Sequence, residues 1–277
     1  MRSNRPEESL QRALTEPLTA GSASEPVVVG VDGTRAALNA VKWAAPEAAN
    51  RDVPLRLVHV VSPAPRRRGG TSGTGFETGH VAELLQQAKY CAEDFDKHVR
   101  VESVVKCGRP ETVLLEQSRH AGMICIGSPT YQSPVDGSLG SIASALAEHS
   151  CCPVAVIRTD DYDSLRTECG VISVVLNDEP DNDAVVHLAM HEGRLRHATV
   201  RQVDRRVNSW NRRYADVPVE MVAAGAGGRY ANRPSRDDGP QLAVVGRSDA
   251  AKISHLGTPN CHPILGYPDC SVLLVRS

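Results

Sequence analysis

The sequence predicts an α/β architecture of two doubly wound domains, each with a parallel sheet, and three observations carry that reading. Short β-branched apolar runs alternate with stretches of helical periodicity, an order that requires parallel strands covered by helices on both faces. The alternation of the first half recurs in the second. Cys151-Cys-Pro-Val-Ala-Val-Ile-Arg158 and Asp269-Cys-Ser-Val-Leu-Leu-Val-Arg276 match each other as closing strands, the mark of a duplication. A chain of 277 residues, 41% hydrophobic, is long enough to bury a core in each of two units.

Residues 1–25 are polar and of mixed charge, with no apolar stretch of the length a signal peptide or membrane span needs. They read as a disordered tail on a cytoplasmic protein that does not meet the membrane. The eight cysteines are then expected to stay reduced, most as small buried hydrophobes.

The first unit is expected over residues 26–158. Residues 26–32 are a buried strand closed by the turn at Asp32-Gly33. Ala37, Val41, Ala44, Ala45 and Ala48 follow at helical spacing, and Pro46 among them predicts a kink or an early end, since proline inside a helix costs about 3 kcal/mol. A strand at 54–61 leads into a loop at 62–79 rich in Pro, Gly, Ser and Thr. Val81, Leu84, Leu85, Ala88, Ala92 and Phe95 mark an amphipathic helix, residues 99–105 a strand, and Pro110 a helix start. Strands at 123–127 and 153–158, with a helix at 141–149 between them, complete the unit.

Residues 159–169, polar and carrying Asp160, Asp161 and Asp163, are read as a linker. The second unit, 170–277, repeats the order with strands at 170–176, 198–203, 217–224, 241–246 and 271–276. Helices are expected in it at 184–194 and 207–214.

Composition excludes several functions. A net charge of −2 and a pI near 6.6 argue against nucleic acid. Arg66 to Arg68 form one run, while Arg194, Arg196, Arg201, Arg205, Arg206, Arg212 and Arg213 are spread over several elements, as a solvated face with salt links to Glu192 and Asp204 would be. His255, Cys261, His262 and Cys270 match no zinc spacing, and no nucleophile with its base or Walker lysine is present. The reading is therefore a non-enzyme with no catalytic residues and no metal site.

Ligands of open parallel sheets bind beyond the carboxyl ends of the strands, where the strand order reverses. Two segments end there: Gly30-Val-Asp32-Gly33, and residues 127–141, which run from a strand into a helix N-terminus. Gly140 and Ser141 at that N-terminus suit a phosphate and suit a plain helix cap equally.

These segments resemble the universal stress protein family. Its pattern, Gly-x2-Gly-x9-Gly-Ser/Thr, is kept in spacing by Gly127, Gly140 and Ser141, followed by the closing strand 152–158. The opening Val-Val-Val-Gly30-Val-Asp32-Gly33 and Leu57-Val-His59-Val60 are similar to it too, and the whole looks like the tandem members of mycobacteria. The resemblance implies a universal stress protein-like fold, Rossmann-like and related to the adenine nucleotide alpha hydrolases. It also implies ATP as ligand, with Gly30, Asp32 and their neighbours on the ribose and adenine side and Val60 offering backbone bonds to adenine. Gly127, Ser128, Pro129, Thr130, Tyr131, Gln132 and Ser133 would cradle the phosphates with Gly140 and Ser141. Asp32 and Asp136 offer carboxylates to Mg²⁺, although isolated aspartates at strand ends and in loops are more often turn formers, and slow ATP hydrolysis is compatible with the pattern.

The family further implies a role in stress, hypoxia or dormancy and dimerisation through the last strand. In a tandem chain the dimer becomes an internal pseudo-dimer, pairing the strand at Val154 with that at Val272. Departures from the pattern point to a second reading. Thr130 occupies the second glycine's position and Asp136 adds negative charge beside it. In the second half Asp249 takes that glycine's place, Pro259-Asn260 replaces Gly-Ser, and Gly257-Thr258 lies two residues early. The second unit is therefore expected to be a degenerate partner. The alternative reading is a protein without nucleotide that meets a signalling partner or a further copy of itself.

Overall fold

The structure is a computed structural model that describes residues 25–62, 74–129, 140–159, 170–175, 182–204, 214–223, 240–246 and 270–276. Its first half contains β1 (Val27–Gly30), α1 (Arg35–Asn50), β2 (Leu55–Val61), α2 (Thr74–Phe95), β3 (Val101–Cys107) and α3 (Pro110–Gln117). A 3₁₀ turn (Ser118–His120), β4 (Met123–Pro129), α4 (Ser141–His149) and β5 (Val154–Thr159) follow. The second half contributes β6 (Val171–Val175), α5 (Asn182–Leu195), β7 (Thr199–Asp204), β8 (Val219–Ala223), β9 (Pro240–Val245) and β10 (Ser271–Leu274).

All ten strands form one sheet in the order β3-β2-β1-β4-β5-β10-β9-β6-β7-β8. Each half reads outward to inward as its third, second, first, fourth and fifth strand, so the strand order repeats as the chain does. Every neighbouring pair is parallel except the central one, where β5 and β10 run antiparallel with Val156 opposite Val272, Ala155 opposite Leu273 and Val154 opposite Leu274. The expected pairing of the two closing strands is thus present, and it gives each otherwise open edge a partner.

Alternation of side chains builds the two layers. Val27 and Val29 face the layer of α1, α2 and α5, while Val28 faces that of α3 and α4. The first layer is continuous across both halves, from Trp43, Ala44 and Leu85 to Val185, Ala189 and Met190. Strands covered on both sides are mostly apolar, as in the fully buried β10, where Val272, Leu273 and Leu274 follow Ser271.

Several expectations change. The helix does not end at Pro46: α1 runs on to Asn50. Its last turns are held by Ala44, Ala45 and Ala48, all wholly buried, and this burial outweighs the hydrogen bond that proline cannot donate. α2 starts at Thr74, inside the expected loop, and Thr159 belongs to β5 and not to a linker. Tyr214, the expected end of a helix, is buried outside any helix; residues 207–213 of that helix, residues 1–24 and residues 160–169 lie outside the described residues. Among the described residues no helix is long and apolar enough to cross a membrane.

Candidate functional site

The strand order reverses between β1 and β4, which are parallel neighbours. The crevice at their carboxyl ends is where several of the expected ligand residues converge. After β1, Asp32 builds a turn: its Oδ1 accepts from the Thr34 amide at 2.9 Å and from the Thr34 hydroxyl at 2.6 Å. Thr34 in turn caps α1, its hydroxyl accepting from the Ala37 amide at 3.2 Å. Gly33 sits at φ +85°, a conformation that a Cβ disfavours. Gly30 lies against Leu114 of α3, so both glycines serve the backbone around this turn.

Val60 stands at the end of β2, past the last residue that β1 pairs with, Val58. The Val58 carbonyl accepts from Val31 on the β1 side, whereas the Val61 carbonyl accepts from Gly108 on the other. With a period of two, the Val60 peptide groups point to the β1 side, beyond the end of that strand. His59 Nδ1 lies 2.7 Å from the Val31 carbonyl and ties β2 to the same turn.

The two glycines of the 127–141 segment differ in what surrounds them. A Cβ on Gly127 would lie 2.1 Å from the Ala36 carbonyl carbon and oxygen and 2.5 Å from the Ala37 nitrogen, so β4 passes directly under the first turn of α1. A Cβ on Gly140 would meet nothing within 4 Å. Gly140 is the N-cap of α4 and supplies no side-chain hydrogen bond to its first turn, which begins at Ser141. Ser128 and Pro129 close β4 opposite Arg158 and Thr159. Thr130, Tyr131, Gln132, Ser133 and Asp136 lie outside the described residues, as do Asp249 and residues 257–260 of the second half.

A second polar cluster, not anticipated from the sequence, lies where the halves meet on the α1 side of the sheet. Glu47 of α1 and Glu192 of α5 are wholly buried, and Arg196 is 3% exposed. Arg196 donates to Glu192 Oε2 at 2.8 Å, reaches Glu47 Oε1 at 3.4 Å, and lies over the Trp43 ring at 4.1 Å from its centroid. Arg51 pairs with Glu47 at 2.9 Å, and His191 Nε2 stands 3.4 Å from the same carboxylate. Burial alone would raise Glu47, but His191, Arg196 and Arg51 together hold it down to about 2. Burial first, and then the Glu47 charge, push Glu192 up to about 8.

For Arg196 the expected salt link to Glu192 is present, but the residue does not lie on a solvated face: it is the most deeply buried of the described arginines of that stretch, because Glu47 and Glu192 provide the counter-charges that admit it. Arg194 faces water and pairs with Asp216, while Arg201 is largely covered and pairs with Glu220. A signal for the cluster was present in the repeat: Glu47-x3-Arg51 and Glu192-x3-Arg196 occupy equivalent places, each followed by a residue at φ 51°, Asp52 and His197. Of the cysteines, Cys125, Cys152 and Cys270 are buried as expected and Cys107 and Cys151 are exposed. Residues 255–262 of the histidine and cysteine group lie outside the described residues.

Comparison with known proteins accords with this architecture. The universal stress protein family model matches residues 24–158. A universal stress protein of Mycobacterium tuberculosis is 35% identical over 266 residues, covering 90% of this chain and 96% of the relative. Another from that organism is 36% identical over 275 residues, covering 91% and 96%. Among solved structures, a universal stress protein from Archaeoglobus fulgidus superposes with a TM-score of 0.60 at 12% identity, covering 92% of this chain and 97% of that one. On this evidence the chain belongs to the universal stress protein family.

Proposed function

We propose that this protein is an adenine-nucleotide-binding regulator, with ATP as ligand, that acts in a stress or dormancy response in the cytoplasm without efficient catalysis. Its site is the crevice of residues 26–158. Residues 170–277 act as a degenerate partner held by the β5–β10 pairing.

The observation that carries this reading is the N-terminus of α4. Gly140 gives that first turn no side-chain cap, among the described residues nothing lies within 4 Å of a Cβ built on it, and a helix N-terminus presents N–H groups and a positive dipole end to phosphate oxygens. The Val60 peptide groups, turned past the end of β1, supply the complementary hydrogen-bonding edge for an adenine. Asp32 has Oδ1 engaged by Thr34, which leaves Oδ2 as its available acceptor toward a ribose or Mg²⁺.

Calorimetric titration with Mg-ATP tests the proposal beside Gly140→Trp, which fills the space before α4 without touching the second half. Low-micromolar binding at about one site per chain, abolished by the substitution, is the expected result. A wild-type chain that binds no adenine nucleotide overturns it. Thr130 and Asp136 favour a second reading, a scaffold for a protein partner, which that outcome would support.

A further inference from the structure

We propose that the buried carboxylates Glu47 and Glu192 share one proton at the junction of the two halves, and that its loss at alkaline pH loosens that junction. The argument starts from hydrogen-bond supply. Glu47 Oε2 receives Arg51, and Glu192 Oε2 receives Arg196. Glu192 Oε1 is buried and has no hydrogen-bond donor among the described residues. Glu47, His191 and Glu192 bring ligand-type atoms within 4.8 Å of one another, so the orphan carboxylate has a second carboxylate as its neighbour. An ionised oxygen left dry without a donor is costly, and a proton there turns an acceptor into a donor.

Arg196 alone does not relieve the pair. It is shared between Glu192, Glu47 and the Trp43 carbonyl, the last two at 3.4 Å, and its ring stacking fixes it in place. Arg51 addresses Glu47 only, and its side chain is 25% exposed. From β4, burial pushes the Cys125 thiol well above its ordinary value, so it adds no charge of its own.

Two carboxylates and an imidazole also form a plausible donor set for a cation. Arg51 and Arg196 weigh against that, because a divalent ion beside them would set four positive charges against two negative ones in a buried site, where a single proton sets three, one of them on the partly exposed Arg51. The duplication explains the arrangement: each half carries one Glu-x3-Arg element, and their meeting places like charges together.

The sign of the pH effect follows. Glu192 is raised in the folded chain to about 8, so between its unfolded value of 4.5 and 8 the folded state holds a proton that the unfolded state has released. Stability from this group therefore falls as pH rises through that window. Glu47 is lowered to about 2, so its contribution is lost only as pH falls below 4.5 and does not blur the alkaline side.

Urea unfolding of the full chain across pH 5 to 8, compared with Glu192→Gln, reads the effect directly. The unfolding constant of the wild type is expected to rise more steeply than that of the variant, by up to about tenfold per pH unit. Infrared spectroscopy of the wild type at pH 7 is expected to show a protonated carboxyl band that Glu192→Gln lacks. Should that variant fail to fold, Glu47→Gln serves in its place, and the band should disappear at lower pH than in the wild type. Equal pH slopes, or a wild type without the band, overturn the proposal. So does thermal stabilisation by Zn²⁺ or Mn²⁺ that Glu192→Gln abolishes, which would assign the cluster to a metal.

Discussion

Gly127 and Gly140 belong to one sequence pattern and do different work. Gly127 admits the backbone of α1, so Gly127→Ala forces β4 and the helix apart. Overpacking of this kind costs about 1–3 kcal/mol, and a melting point lowered by roughly 2–12 °C is expected in a thermal scan. A Cβ at Gly140 meets nothing within 4 Å among the described residues, so Gly140→Ala should cost only what alanine costs at an N-cap, about 1 kcal/mol or less. Asp32 also has a structural duty. Asp32→Ala removes the acceptor of both Thr34 bonds and should cost about 1 kcal/mol in urea unfolding, whereas Asp32→Asn keeps an oxygen in place and should cost little.

At the scale of elements, α1 shows how context overrides local preference. Thr34 starts it with a side-chain cap, its middle carries the residues that fill the core, and Glu47 and Arg51 finish it beyond Pro46. Thr34→Ala should lower stability by about 1 kcal/mol, read as a shift of the urea midpoint. α4 has the opposite character: its N-terminus has no side-chain cap, which is the state that favours an anion. Its limits, 141–149, were legible in the sequence, and the structure buries its Ala143, Leu146 and Ala147. Whether Gly140 would act as a phosphate seat or a plain cap was not legible, because that turns on the space in front of it.

On the scale of the whole molecule, the halves are joined twice. β5 and β10 join the sheet edges, and the Glu47–Glu192–Arg196 cluster joins the helical layer. Arg276 adds a third tie, donating to the Ala147 carbonyl of α4. Leu273→Pro removes a backbone N–H and imposes a ring on a strand paired on both sides. It should free the β5 edge for pairing with other chains, and size-exclusion chromatography is expected to show species larger than those of the unsubstituted chain. An unchanged elution profile with unchanged stability would mean that the helical layer alone suffices.

Strand and helix order, the duplication and the identity of the closing strands were determined by the sequence alone, since period-two and period-3.6 patterns are local properties of the chain. The turn at Asp32-Gly33 was readable for the same reason. Three matters were decided only by tertiary structure: the continuation of α1 through Pro46, the contrast between Gly127 and Gly140, and the burial of Arg196. Each depends on what another part of the chain places within a few ångströms. Glu47 is held as a buried charge by His191 and Arg196, the latter 149 positions along the chain, together with its neighbour Arg51. Pairwise electrostatics and steric contact act through space, and residues that distant in sequence leave no local pattern of their meeting.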